Sequence, residues 1–295
     1  MLKEGPVLDE HARTEMVQTE VEVAPYDKGR LSYAGTFTNR WKANTIRAIE
    51  WMTAKWQLLR LIRKFERRGA PFGQSFWPQA LEIMGIDVTT PPEQIARIPK
   101  EGPLVVVANH PHGLVDGMVL AYLIGQVRTD YKILTRSLLT GIPEIAEFML
   151  PVPFPHEANA REESLQMRAE CMSTLKDGGV IVLFPAGQVA HSDTYFGTPI
   201  EQEWNPFTAK MVARSGAQVL PIYFPGRNSQ AYQIANKLSA TLRQGLLLYE
   251  IRRALNKRQS PVIGTPFSPA ELKEPLKDPR RWLAEMREHT LNLRG

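Results

Sequence analysis

The chain has 295 residues, 43% of them hydrophobic, with 36 Lys or Arg, 31 Asp or Glu and one cysteine. That length and apolar content allow one large domain with extensions, and they exclude a low-complexity or disulfide-framed chain. The net charge of +5 is uneven: residues 1–35 hold four basic and seven acidic side chains, so the rest is a basic body suited to nucleic acid, a phosphorylated substrate or an acidic membrane.

Residues 1–35 are polar and weakly patterned, which predicts a loosely ordered N-terminal arm without the basic-then-apolar pattern of a secretion signal. A helical pattern follows from Asn39 to Arg68, with Trp41, Ile46, Ile49, Met52, Trp56, Leu59, Ile62 and Phe65 recurring at helical steps. Nine Lys or Arg occupy the other positions against Glu50 and Glu66, so residues 36–75 read as an amphipathic segment for an acidic membrane surface. The competing reading packs the apolar stripe onto the rest of the protein. Residues 76–295 then form the main domain, opened by a short helix around Phe76 to Met84.

Beyond residue 100, strand-like and helix-like segments alternate. The runs 104–108, 131–134, 179–184 and 219–224 predict buried strands, and 261–264 a short edge strand. Helices are expected at 116–127, 142–150, 162–176, 206–215, 230–257 and 279–292. Such alternation predicts an α/β domain with a mixed, largely parallel central sheet flanked by helices. Cys171 falls among Met167, Met172 and Leu175, as expected of a buried structural thiol. No run approaches the roughly 18 apolar residues of a spanning helix. The expected location is therefore cytoplasmic, attached peripherally to the inner face of the cell membrane.

The first predicted strand runs into "NHPHGLVDG", residues 109–117. His110, His112 and Asp116 could ligate a metal, with imidazole and carboxylate as ordinary zinc donors. They could equally supply a general base whose tautomer is held by an acid, since imidazole titrates at about 6.5. A third reading is a plain loop in which Asp116 caps the helix that follows, a job compatible with the second. "FPAGQVAHSD" (184–193) and "LPIYFPGRNS" (220–229) follow the third and fourth strands, where α/β folds place their chemistry. Arg227 and Asn228 can donate to a phosphate, and Arg136 lies just past the second strand. No nucleic-acid recognition motif accompanies the positive charge.

Taken together, these blocks resemble the glycerol-phosphate and lysophospholipid acyltransferase family, over about residues 75–275. "NHPHGLVDG" is similar to its Asn-His-(x)4-Asp block, "LTRSLLTGIPEI" to its second and "FPAGQVA" to its Phe-Pro-Glu-Gly block. "VLPIYFPG" is similar to its fourth, and "PVIGTPFSP" to its closing strand. The segment 39–68 resembles the helix preceding the domain in a hemolysin-like bacterial branch. The resemblance implies O-acyl transfer from acyl-CoA or an acyl carrier protein thioester to a lysophospholipid or related lysolipid hydroxyl, with no bound cofactor or metal. It makes His110 the general base and Asp116 its partner, with His112 the alternate base. Asn109, Phe184, Pro185, Gly187 and Gln188 would shape the acceptor site, and Arg136, Arg227 and Asn228 would serve its phosphate.

Two departures stand out. Five residues rather than four separate His110 from Asp116, and Ala186 replaces the family's Glu. The second favours a larger lysolipid or an unusual head group over glycerol 3-phosphate. Two alternatives keep the same residues: a metal-dependent hydrolase built on His110, His112 and Asp116, and a non-catalytic membrane-binding relative.

Overall fold

The computed structural model describes residues 31–36, 39–135, 142–153, 159–192 and 194–294. The predicted N-terminal arm lies almost wholly outside them, as does Arg136.

The chain enters through helix α1 (Arg40–Glu50), whose Asn39 cap accepts the N–H groups of Trp41 and Lys42. A π-helical stretch, Trp51–Lys55, joins it to α2 (Trp56–Arg67). The apolar residues of this helix divide between its two sides. Ala43, Ile46, Ala54, Leu58 and Leu59 are buried, whereas Trp41 is 84%, Met52 78% and Trp56 56% exposed. Two causes separate them. Trp41 and Ile46 are five residues apart, about 140° around an α-helix, and the wider π-turn shifts the facing of everything beyond residue 51. The single stripe expected from the sequence is thus two surfaces, one packed on the domain and one turned outward. Glu50 fastens residues 31–36 to the helix by accepting the Ser32 hydroxyl at 2.6 Å and the Tyr33 N–H at 2.7 Å.

Helix α3 (Phe76–Met84) follows, then β1 (Asp87–Val88) and the short α4 (Pro92–Ile95). The central strand is β2 (Leu104–Ala108), a β-branched run buried at every position. Next come α5 (Leu114–Ile124), β3 (Tyr131–Thr135), a 3₁₀ segment Pro143–Phe148, β4 (Met149–Pro151) and α6 (Ala160–Lys176). β5 (Val180–Leu183), α7 (Pro206–Ser215) and β6 (Gln218–Tyr223) complete the parallel part of the sheet. The expected helix at 230–257 is three helices: α8 (Gln230–Leu238), α9 (Ala240–Gly245) and α10 (Leu247–Ala254). Ser239, extended at φ −167° and ψ 134°, breaks the first junction and caps α9. After β7 (Arg258–Gln259) and β8 (Val262–Ile263), the short α11 (Pro269–Leu272) and α12 (Pro279–Asn292) close the chain.

The main sheet has the order β4-β3-β5-β2-β6-β8, parallel throughout except for β8. β4 replaces the end of a predicted helix, because its backbone pairs with β3 from Ile133 to Thr135. Period-two alternation divides the core. Leu104, Val106, Val182 and Ile222 face α5 and α10, while Val105, Val107, Ile181 and Val219 face α6, α7 and α12. Cys171 lies in the second core, where burial pushes its thiol up to about 12. Among the described residues no helix is long and apolar enough to cross a membrane.

Candidate active site

The candidate residues converge because β2, β5 and β6 are adjacent and parallel, so the loops leaving their carboxyl ends meet. The last β2–β6 pair is Ala108 with Ile222. Asn109 extends that ladder with its side chain, donating to the Phe224 carbonyl at 2.9 Å and accepting the Phe224 N–H at 2.7 Å. Buried and doubly bonded, Asn109 stitches two loops together and is not among the residues lining the cleft.

The chain then turns through His110-Pro111-His112 to Gly113, which has φ +81° and caps α5. Asp116, in the first turn of α5 and fully buried, reaches back into this loop. Its Oδ2 accepts the His112 N–H at 2.8 Å, the Gly113 N–H at 3.1 Å and the Nδ1 of His110 at 3.0 Å. Its Oδ1 faces the Nδ1 of His112, also at 3.0 Å. The helix cap and the histidine partner are therefore one group. With five residues between His110 and Asp116, both imidazoles meet the same carboxylate.

Burial alone would push the Asp116 carboxyl up. The charge of His112 and the hydrogen bonds from both rings outweigh it and hold the carboxyl at about 2. For His112 burial favours the neutral ring, yet the Asp116 carboxylate beside it raises its pKa. The two rings differ in surroundings. His110 stacks on Phe184, with ring centroids 3.8 Å apart and planes 20° from parallel. His112 presses its Nε2 against the loop after β6, where a Cβ on Gly226 would come within 2.5 Å of it. Gly226 has φ +108°, a conformation that suits only glycine.

The segment following β5 grips the backbone of His110 as well. Ala190 N–H donates to the His110 carbonyl at 2.9 Å, and Glu201 Oε2 accepts the His110 N–H at 3.1 Å. Glu201 is itself buried, with the Trp204 indole N–H 3.3 Å from its Oε1 and Arg287 of α12 donating to its carbonyl. That burial pushes its carboxyl up. Sequence alone does not find Glu201. It lies 91 residues from His110 in a loop with no motif, which the bridge between His191 and Ile200 helps to position.

A cleft of about 1060 Å³ opens over these groups, lined by His110, His112, Phe184, Pro185, Gly187 and Gln188 among others. Arg227 is exposed and Asn228 buried, its amide Nδ2 without a partner among the described residues, and neither lines that cleft. Among the described residues, no three His, Cys, Asp or Glu side chains are arranged to hold a metal ion. In chemical terms the cleft offers imidazoles whose Nδ1 atoms are occupied by a buried carboxylate. That arrangement suits proton transfer through Nε2.

The chain is similar to known proteins over most of its length. Two curated relatives, each a "Lyso-glycine lipid O-acyltransferase", come from Bacteroides thetaiotaomicron and Phocaeicola vulgatus. Both are 24% identical over 217 residues, which is 71% of this chain and 76% and 74% of theirs. A solved structure of the 1-acyl-sn-glycerophosphate (LPA) acyltransferase PlsC from Thermotoga maritima superposes with a TM-score of 0.44 and 16% identity. It covers 86% of this chain and 84% of that one, and a likeness so loose carries no weight. The family model described as acyltransferase matches residues 70–250, well over half the chain, so this protein belongs to the acyltransferase family.

Proposed function

We propose that the protein moves a fatty acyl group from a thioester, acyl-CoA or acyl carrier protein, onto the hydroxyl of a lysolipid at a membrane surface. The observation that carries this reading is the His110–Asp116 pair at the end of β2, facing a cleft open to substrate. Asp116 keeps the proton of His110 on Nδ1, leaving Nε2 to take the acceptor's hydroxyl proton as the alkoxide oxygen attacks the thioester carbonyl. The carbon–sulfur bond then breaks, and the imidazolium returns its proton to the departing thiolate. His110 is favoured over His112 as the base because the Nε2 of His112 is crowded by Gly226.

The outer side of α1 and α2 supports work at the inner face of a membrane. Trp41, Trp51, Met52 and Trp56 are exposed there, and Arg60 stacks 3.4 Å over the Trp56 ring. Interfacial indoles with flanking cations suit an acidic lipid surface, each cation contributing on the order of 1 kcal/mol. The relatives' names make a lyso-glycine lipid a candidate acceptor, in keeping with Ala186 in place of the expected Glu.

The test is acyl transfer by purified protein from both donor classes to a panel containing lysophosphatidic acid, other lysophospholipids and a lyso-glycine lipid. Product is expected from one acceptor class and lost in His110→Ala. Product formed undiminished by both His110→Ala and His112→Ala would overturn the reading.

A further inference from the structure

The cleft crosses the carboxyl edge of the sheet, with walls from opposite faces. On one face stands α6, whose Arg161, Ser164 and Arg168 line the cleft beside Phe207 of α7. On the other stand α1, α9 and α10, which contribute Lys42, Arg243 and Leu247. The core divides in the same way: Met167 and Cys171 of α6 pack on one side of the strands, and Leu248 and Ile251 of α10 on the other. His110 and Phe184, at the ends of the adjacent strands β2 and β5, stand between these walls.

The two walls differ in what they present to the outside. The exposed tryptophans 41, 51 and 56 and Met52 belong to the α1–α2 wall, which suits a lipid substrate arriving from a bilayer. The α6 wall has instead a row of polar groups at the i, i+3, i+7 spacing of one helix face. The Arg168 guanidinium is steadied 5.2 Å over the Phe207 ring. Among the described residues neither Arg161 nor Arg168 has an ion-pair partner, although Lys132 on neighbouring β3 pairs with Glu170 of the same helix. Two guanidiniums that have no carboxylate partner among the described residues and line the cleft are suited to phosphate groups on a water-soluble ligand.

We propose that Arg161, Ser164 and Arg168 bind the phosphate groups of the donor's phosphopantetheine carrier. The thioester then reaches His110 from the α6 face while the lysolipid comes from the α1 face. This assignment rests on the acyl-transfer reading and adds which wall takes which substrate. The carrier is either coenzyme A or an acyl carrier protein, two sources of the same phosphopantetheine arm.

Binding of desacyl coenzyme A and of holo acyl carrier protein would be measured by calorimetry, which needs no turnover and so stands apart from any failure to detect acyl transfer. Wild-type protein is expected to bind at least one of them. Arg161→Glu with Arg168→Glu should weaken that binding by about tenfold or more, the scale of one lost charge-assisted contact. Arg161→Lys with Arg168→Lys should recover part of it. Partition onto vesicles of phosphatidylcholine and phosphatidylglycerol, and the melting temperature, should not change. Loss with coenzyme A alone or with the carrier protein alone supports the site and names the source. The proposal is overturned if neither ligand binds the wild type. It is equally overturned if the charge-reversed protein binds both as well as the wild type does, or if it loses vesicle binding instead.

Discussion

Asp116→Asn separates the two histidines, because the two oxygens of Asp116 have unequal duties. Among the described residues, Oδ2 accepts three donors, the backbone N–H groups of His112 and Gly113 and the ring of His110, whereas Oδ1 faces only the ring of His112. An asparagine must therefore place its carbonyl oxygen at the Oδ2 position, since its NH₂ group there would meet two backbone donors. The NH₂ then points at the Nδ1 of His112 and forces that ring to carry its proton on Nε2. His110 keeps its tautomer and loses only a charged partner. With His110 as base, kcat should fall about 10- to 100-fold, the worth of a hydrogen bond to a charged group, roughly 1.5–3 kcal/mol. With His112 as base, the wrong tautomer should cost on the order of 10⁴. Steady-state acyl transfer, with histidine ¹⁵N shifts to read the tautomers, distinguishes the two. A loss near 10⁴ with His110 still protonated on Nδ1 would refute the assignment of His110. The same variant has an acid signature. The folded carboxyl titrates at about 2 rather than the ordinary 3.8, so its contribution is complete above about pH 4 and is lost as pH falls toward 2. That contribution, roughly 2–3 kcal/mol, should be missing from the urea midpoints of Asp116→Asn across that range.

Gly226→Ala should destabilise the fold by about 1–3 kcal/mol, since φ +108° is a glycine conformation and the new methyl meets His112. Chemical denaturation measures it, and a neutral result would mean that the loop can move away from the ring. Glu201→Ala should leave the His110 N–H unpaired, costing about 1–3 kcal/mol, whereas Glu201→Gln keeps an acceptor there. Burial raises the folded pKa of Glu201, so the wild type binds this proton more tightly when folded and loses stability as pH rises past the ordinary 4.5. The urea midpoint of Glu201→Gln should therefore gain on the wild type as pH rises above the ordinary 4.5, and parallel curves would count against a raised pKa. Replacing Trp41 and Met52, 84% and 78% exposed, with Ser should leave the melting temperature unchanged and weaken binding to anionic vesicles in a sedimentation assay. Full retention of vesicle binding would place the membrane contact elsewhere.

Local pattern was enough to read much of this molecule. The apolar runs at 104–108 and 219–224 are strands because β-branched residues buried on both faces have few other arrangements, and 206–215 and 279–292 are helices at the expected boundaries. The 109–116 constellation was legible for the same reason, since its members lie within one loop and one helical turn. Sequence gave no sign of β4, whose three residues become a strand only through pairing with β3. Nor could spacing foresee the π-turn at Trp51–Lys55, beyond which Leu58 and Leu59 are buried and Trp56 is exposed.

What the sequence determined by itself was the family, the α/β class and the two histidines and one acid proposed to carry the chemistry, because those are written in local patterns and in residues near one another in the chain. Only the tertiary structure decided that both histidines share Asp116, that Gly226 crowds one of them and that Glu201 holds the backbone of the other. The Gly226 and Glu201 contacts join residues about a hundred positions apart, and no periodicity encodes which distant loops the order of strands brings together.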